Sequence, residues 1–185
     1  MAYDYDIVVL GGGPAGYAGA IRAAQLKKRV LCVERDKLGG ICLNWGCIPT
    51  KALLTNAHLV ELIKNHGSNF GYSGQATWDF GQIIKRSRSV AGQLNKGIEG
   101  LFRKYKVASK FGSAKIVAPH KVQVGAETVS AESIVIATGA RPRPLPGLDF
   151  DGKTVITYKG AMSLPTKPES MLILGGGPIG LEFGY

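Results

Sequence analysis

The chain has 185 residues, 45% of them apolar and 19% charged, a balance that excludes wholesale disorder and leaves enough apolar material for a buried core. Its 26 glycines follow no Gly-X-Y period, which excludes a collagen-like fibre. The net charge of +10 comes without long blocks of like charge, and no apolar run approaches the ~20 residues of a membrane span, so neither nucleic acid nor a bilayer is the expected partner.

The N-terminus, Met1-Ala2-Tyr3-Asp4-Tyr5-Asp6, carries two acids and runs directly into an apolar stretch, which argues against a signal or transit peptide and for a cytoplasmic location. Three cysteines are too few for a secreted disulfide scaffold. Ile7-Val8-Val9-Leu10 predicts a strand leading into Gly11-Gly12-Gly13-Pro14-Ala15-Gly16, and the Ala-rich stretch from Ala15 to Lys28 predicts the helix that follows. Val30-Leu31-Cys32-Val33-Glu34 reads as a buried parallel strand, followed by a loop containing Gly39-Gly40 and a helix from about Pro49 to Asn65. Asp79 is placed to cap a long helix reaching about Lys106, with Phe80, Ile83, Ile84, Val90, Leu94, Ile98, Leu101 and Phe102 as its inward stripe. Lys85, Arg86, Arg88, Lys96, Arg103 and Lys104 fall mostly outside that stripe, on an expected solvated face.

From Val107 to Val129 short β-like runs predict a small antiparallel meander, and Ser133–Ala137 a strongly apolar strand. Arg141 to Pro168 holds five of the nine prolines, an extended connection. Met171-Leu172-Ile173-Leu174 then predicts another strand, opening into Gly175-Gly176-Gly177-Pro178-Ile179-Gly180. The expected fold class is α/β: a Rossmann-like domain over 1–148, with a parallel sheet and the meander, then a linker and the start of a second Rossmann-like domain over 149–185.

The first Gly-x-Gly-x-x-Gly follows an apolar strand, opens a helix and has an acid, Glu34, at the end of the next strand, the context that makes this pattern a dinucleotide-binding signal. Gly11 would allow the tight turn, Gly13 the close approach of a pyrophosphate and Gly16 the packing of helix on strand. The helix N-terminus would face the phosphates and Glu34 a ribose hydroxyl. Two residues past the third glycine, the first copy has Ala18 and the second Glu182, a carboxylate for which a cationic partner is expected at a packed position.

For Cys42 and Cys47, three readings compete. Zinc needs about four ligands, and only two thiols are here, with His58 and His66 lacking finger spacing. Inert core thiols would suit an apolar strand, as Cys32 does, but not a Gly-rich turn. A redox-active pair fits best. Residues five apart on a regular helix rise about 7.5 Å, beyond the ~7 Å Cα limit for a bridge, so an irregular turn near Gly46 and Pro49 is expected between them. Cys47 would then lie near a helix N-terminus, where the dipole favours a thiolate, with Lys51 one turn on; Cys42 would be the more accessible sulfur.

The segment Cys42-Leu43-Asn44-Trp45-Gly46-Cys47-Ile48-Pro49-Thr50-Lys51, the Gly11–Gly16 fingerprint and Ala137-Thr138-Gly139-Ala140-Arg141-Pro142 together resemble the class I pyridine nucleotide-disulfide oxidoreductases, over essentially the whole chain. The resemblance implies that Gly11, Gly13, Pro14, Ala15, Gly16, Glu34, Arg35, Gly40 and Lys51 bind FAD. Thr138 and Gly139 would lie against the same cofactor, and the backbone near Ala114 beside its adenosine end. Cys42 would be the interchange thiol and Cys47 would face the flavin. Lys51 would lie close to the flavin and pair with Glu182. Gly175, Gly177 and Gly180 would open an NAD(P) site, NAD and NADP both remaining open although NAD is the cofactor expected, and no metal is implied.

The Cys-Leu-Asn-x-Gly-Cys-Ile-Pro wording is similar to the branch of the family that converts dihydrolipoamide and NAD⁺ to lipoamide and NADH. That branch implies the lipoyl dithiols of 2-oxo acid dehydrogenase complexes as partners, and a homodimer. Glutathione and mercuric reductases are the neighbouring alternatives, and a noncatalytic nucleotide-binding fragment the alternative outside enzymology. Family members are much longer, which implies that both domains are incomplete here and that His58, His66 and His120 do not match the family's catalytic base. On that reading the 185-residue chain folds at most partly, holds FAD weakly or not at all and turns over no lipoamide.

Overall fold

The computed structural model describes residues 3–185; Met1 and Ala2 of the acidic N-terminus lie outside the described residues. The chain forms two compact units, one from the residues up to Asn44 together with Gly92–Arg141, the other from Trp45–Ala91 with Pro142–Tyr185.

The first unit is built on a six-stranded sheet. Strand β1 (Tyr5–Leu10) leads into helix α1 (Pro14–Gln25) and strand β2 (Val30–Glu34). Four further strands follow, β3 (Ala108–Phe111), β4 (Ala114–Ala118), β5 (Lys121–Val124) and β6 (Glu127–Ile136), and the spatial order is β3-β2-β1-β6-β5-β4. β1 pairs in parallel with both β2 and β6, and β2 with β3. The register sets Leu10 opposite Val33 on one side and Ile136 on the other. This is a Rossmann-like α/β arrangement. β1 and β2 read as unbroken apolar runs because both of their faces are buried from Val8 to Leu10 and from Val30 to Val33, and Val8, Leu10, Leu31 and Val33 form one core with Val122, Val124, Val129 and Ala131.

Only β4, β5 and the first part of β6 form the expected antiparallel meander. β3 instead pairs in parallel with β2, placing Leu31 opposite Ala108. β6 is ten residues long because it serves two partners in turn: residues 127–130 pair with β5, and residues 131–136 run beside β1. At its junction, the Asp4 carboxylate accepts hydrogen bonds from the Ser130 backbone N–H and hydroxyl, both at 2.7 Å, which hold it below the usual carboxylate range.

A short helix α2 (Gly40–Trp45) occupies what the two glycines predict as loop. Helix α3 (Cys47–His66) ends in a 3₁₀ turn over Gly67–Phe70, and helix α4 spans Phe80–Tyr105. The Asp79 carboxylate accepts from the Gln82 N–H at 3.0 Å, the expected N-cap. The buried seam of α4 is rotated from the apolar stripe: Ser87, Ala91, Asn95, Ile98 and Phe102 are buried, while Leu94 and Leu101 are about two-fifths exposed. Within the second unit, Arg86 on α4 donates to the Ala52 carbonyl of α3 at 3.3 Å.

The rest of the second unit is mostly irregular, as the prolines imply, with two short helices, α5 (Tyr158–Ala161) and α6 (Pro178–Gly184). The expected strand over Met171–Leu174 does not form. A strand exists through ladder bonds to a neighbour, and no described strand pairs with this segment; Leu172 is left 87% exposed.

Candidate active site

The dinucleotide turn is assembled from β1, α1 and β2. Gly11 accepts φ = +105°, which a Cβ would strain, and a Cβ there would also penetrate the Ala137 carbonyl. The chain end of β6 is thus packed directly against the turn: Ala137 N–H donates to the Leu10 carbonyl at 2.8 Å, and the Thr138 Cα lies 3.1 Å from where that Cβ would be. Gly16 faces the Gly11 carbonyl so closely that any side chain would collide with backbone. Gly13 caps α1 with Pro14 at its first position and Ala15 next, leaving the helix N-terminus without a side-chain cap.

The Glu34 carboxylate takes three backbone donors: Gly12 N–H at 2.7 Å on one oxygen, Arg35 N–H at 2.8 Å and Asp36 N–H at 3.0 Å on the other. A carboxylate oxygen with a single protein donor keeps capacity for a ligand hydroxyl. Gly112, two residues before Ala114, donates to the Glu34 carbonyl at 2.8 Å, which brings the start of β4 to the same corner. These features fit a dinucleotide: a side-chain-free turn, an uncapped helix terminus and an anchored acid. On the other side, Gly39 N–H donates to the Gly12 carbonyl at 2.8 Å, and a Cβ on Gly40 would come within 2.5 Å of the Gly13 Cα. The loop that starts the cysteine segment is therefore seated on the Gly12-Gly13 turn.

Cys42 lies on α2 and Cys47 is the first residue of α3, with Gly46 at φ −148°, ψ −118° breaking the helix between them. Pro49 falls in the first turn of α3, where its missing N–H costs nothing, and the first helical bond, Thr50 N–H to the Gly46 carbonyl, is 3.0 Å. The accessibility expected for the two sulfurs is reversed. Cys47 is exposed and Cys42 half-buried, because α2 is an ordered helix that buries the neighbours Leu43 and Asn44, while Cys47 stands at an open helix end.

In the second unit, the Lys51 ammonium on α3 pairs with the Glu182 carboxylate on α6, the cationic partner sought for that acid. The lysine side chain is 62% exposed, so this contact contributes at most about 1 kcal/mol of stability and does not by itself explain the residue choice. The second fingerprint repeats the first in shape: Gly175 has φ = +116°, a Cβ on Gly180 would collide with the Gly175 carbonyl, and Gly177 caps α6 as Gly13 caps α1.

Two residues at this site escape a reading of the sequence. The Arg88 guanidinium lies 4.4 Å from the centre of the Trp45 ring, and Lys159 Nζ 5.4 Å from it, both within cation–π reach. Arg88 is thus not on a solvated face; its burial lowers its pKa. Its position four residues past Ile84 and three before Ala91, on the edge of the buried seam, is the available signal. The other is Asn95, buried on α4.

Cys32 differs from the other two thiols. Burial on β2, reinforced by the Glu34 charge, pushes its pKa up to about 12. We expect iodoacetamide at pH 8 to spare Cys32 in the folded protein and to label it on denaturation, as peptide mapping would read. Because the folded value is raised above the ordinary 9.0, the contribution is intact below about pH 9 and lost as pH climbs towards 12. Cys32→Val should flatten the alkaline loss of stability accordingly.

No described helix is long and apolar enough to cross a membrane. Residues 5–185 match the pyridine nucleotide-disulphide oxidoreductase family. Similar curated proteins include dihydrolipoyl dehydrogenases of Rhizobium etli, 42% identical over 99% of this chain and 42% of that protein, of Manduca sexta, 46% over 98% and 38%, and of Zymomonas mobilis, 46% over 99% and 40%. The chain spans about two fifths of the length of these relatives. With the matched region running through both fingerprints and the cysteine segment between them, the chain belongs to the pyridine nucleotide-disulphide oxidoreductase family.

Proposed function

We propose that the chain carries the redox disulfide and the dinucleotide turn of a dihydrolipoyl dehydrogenase, which converts dihydrolipoamide and NAD⁺ to lipoamide, NADH and a proton. Its family uses FAD and NAD(H). The observation that carries the reading is the seating of the Gly39-Gly40 loop, from which the Cys42 helix starts, on the Gly12-Gly13 turn. A Cys42 helix that starts on a dinucleotide cradle suits electron transfer between thiols and a nucleotide cofactor.

In this reading residues 1–148 form the FAD domain and 149–185 a linker and the start of an NAD domain. FAD, when bound, supplies a two-electron relay between the dithiol and NAD⁺. Gly11, Gly13, Pro14, Ala15, Gly16 and Gly40 shape its phosphate cradle, and Glu34 its ribose contact. Arg35, Ala114, Thr138 and Gly139 border it; Gly175, Gly177 and Gly180 form the corresponding turn for NAD. One substrate thiolate attacks Cys42 Sγ and breaks the Cys42–Cys47 bond, and Cys47 leaves as a thiolate among the unpaired N–H groups that open α3. The second substrate thiolate then displaces Cys42, leaving lipoamide and the reduced pair. Lys51, held by Glu182, keeps a positive charge one turn along α3 from Cys47. The substrate is presented on lipoyl domains of 2-oxo acid dehydrogenase complexes, and the enzyme works as a cytoplasmic homodimer.

The direct test offers the flavin-loaded enzyme dihydrolipoamide with NAD⁺, glutathione disulfide with NADPH, and Hg(II) with NADPH. We expect NADH formation with dihydrolipoamide to exceed the other two activities by at least about a hundredfold in kcat/KM, a difference of about 2.7 kcal/mol in transition-state binding. Preference for glutathione disulfide or Hg(II) would overturn the substrate assignment.

A further inference from the structure

We infer that Asn95, together with Asn44, is a positioning residue that ties the interchange thiol Cys42 to the dinucleotide turn through a single peptide plane. The Leu38 carbonyl accepts from Asn44 Nδ2 at 2.9 Å and from Asn95 Nδ2. The N–H on the other side of that same planar peptide, Gly39 N–H, donates to the Gly12 carbonyl at 2.8 Å. The opposite side of Gly12, its N–H, is held by Glu34. One rigid unit therefore runs from α4 through the 38–39 peptide to the centre of the phosphate-binding turn and on to the ribose-binding acid.

Asn44 joins this unit to the thiol. It lies two residues after Cys42 on α2, and its amide also donates to the Gly40 carbonyl at 3.0 Å, closing the helix on which Cys42 sits. Asn44, Asn95, Leu38 and Leu43 are all buried, so these hydrogen bonds act where the local dielectric is low and a missing donor is expensive. Side-chain packing supports the same loop: Leu43 fills the space a Cβ on Gly39 would need, and Leu38 the space beside Gly12. An amide at position 95 is explained by the carbonyl it reaches.

The inference rests on the proposed FAD and dithiol roles, and its test separates the two. In the holoenzyme, Asn95→Leu keeps the volume and removes the donor, and Asn44→Leu does the same at the other site. We expect each single change to raise the FAD dissociation constant about threefold and to alter the iodoacetamide reaction rate of Cys42 in the dithiol-reduced enzyme by a similar factor. The double variant should exceed the product of the singles, by tenfold or more, since only then does the buried Leu38 carbonyl lose its last side-chain donor. Folded single and double variants that keep FAD affinity and Cys42 reactivity within the product of small independent effects, whatever their Tm, would overturn the inference. If the substitutions prevent folding, hydrogen exchange in the unsubstituted holoenzyme decides: the Gly39 amide should be as protected as those of β1, and exchange at open-loop rates would overturn it. An enzyme that binds FAD but does not oxidise dihydrolipoamide would instead remove the functional reading, and leave the FAD arm of this test readable.

Discussion

Cys47→Ser in the holoenzyme should reduce dihydrolipoamide oxidation by at least about a thousandfold, because the reduced pair can no longer form and re-form its disulfide. The loss has a distinctive companion. A thiolate beside an oxidised flavin gives long-wavelength absorbance in the two-electron-reduced enzyme, and Cys47→Ser should abolish it. Cys42→Ser should cost comparable turnover yet keep that absorbance, since Cys47, the sulfur proposed to face the flavin, remains. The two roles are those the family resemblance implies, with Cys42 as the interchange thiol and Cys47 beside the flavin; in the structure Cys47 is the more exposed of the two. The opposite spectral pattern would exchange the two roles, and retention of turnover in either variant would remove the disulfide from the mechanism.

The largest stability effect is expected at Gly16→Ala. The obstacle is the Gly11 carbonyl, a backbone group fixed by the Gly11 N–H bond to the Val33 carbonyl at 2.7 Å, so neither side can yield without moving α1 off β1. Overpacking of this kind costs about 3 kcal/mol, or roughly 6–12 °C in Tm for a chain of this size. On the proposed reading FAD retention should fall with it, because the same displacement moves the helix N-terminus proposed to face the phosphates. Gly19→Ala is the control: it lies on the same helix with open space where its Cβ would go, and should stabilise by about 0.4–1 kcal/mol. Equal effects at the two positions, followed by thermal unfolding, would show that helix propensity rather than the close approach governs α1.

What was legible in the sequence was what short-range chemistry encodes. Pro14 after a glycine turn, Glu34 at a strand end and Asp79 before an amphipathic run each specify a local geometry without reference to distant residues, and each is found where expected. Choices that depend on a remote partner were not legible. Ala108–Phe111 has the composition of either an antiparallel or a parallel strand, and only the availability of β2 decides. Met171–Leu174 has strand composition but, among the described residues, no strand beside it to complete a ladder. Helix α2 was hidden by two glycines of low helix propensity; its order comes from Asn44 and Leu43 reaching back to the loop. At the candidate site, the cysteine pair and the fingerprints stood out as motifs, whereas Arg88 and Asn95 did not. A polar residue inside an apolar seam looks like surface until the carbonyl or ring it serves is placed beside it.

The dual pairing of β6 has a consequence for how the protein is made. Tyr5 finds its partner Ala131 only after more than a hundred further residues have been added. At synthesis rates of about 5–20 residues per second, β1 waits for roughly 6–25 s with one edge unpaired. During that interval Val8, Val9 and Leu10 are a β-prone segment without a neighbour on that side, the kind of sequence that seeds association between nascent chains. Chaperone dependence and co-translational aggregation should therefore track the delay before β6 emerges, more than the stability of the finished sheet.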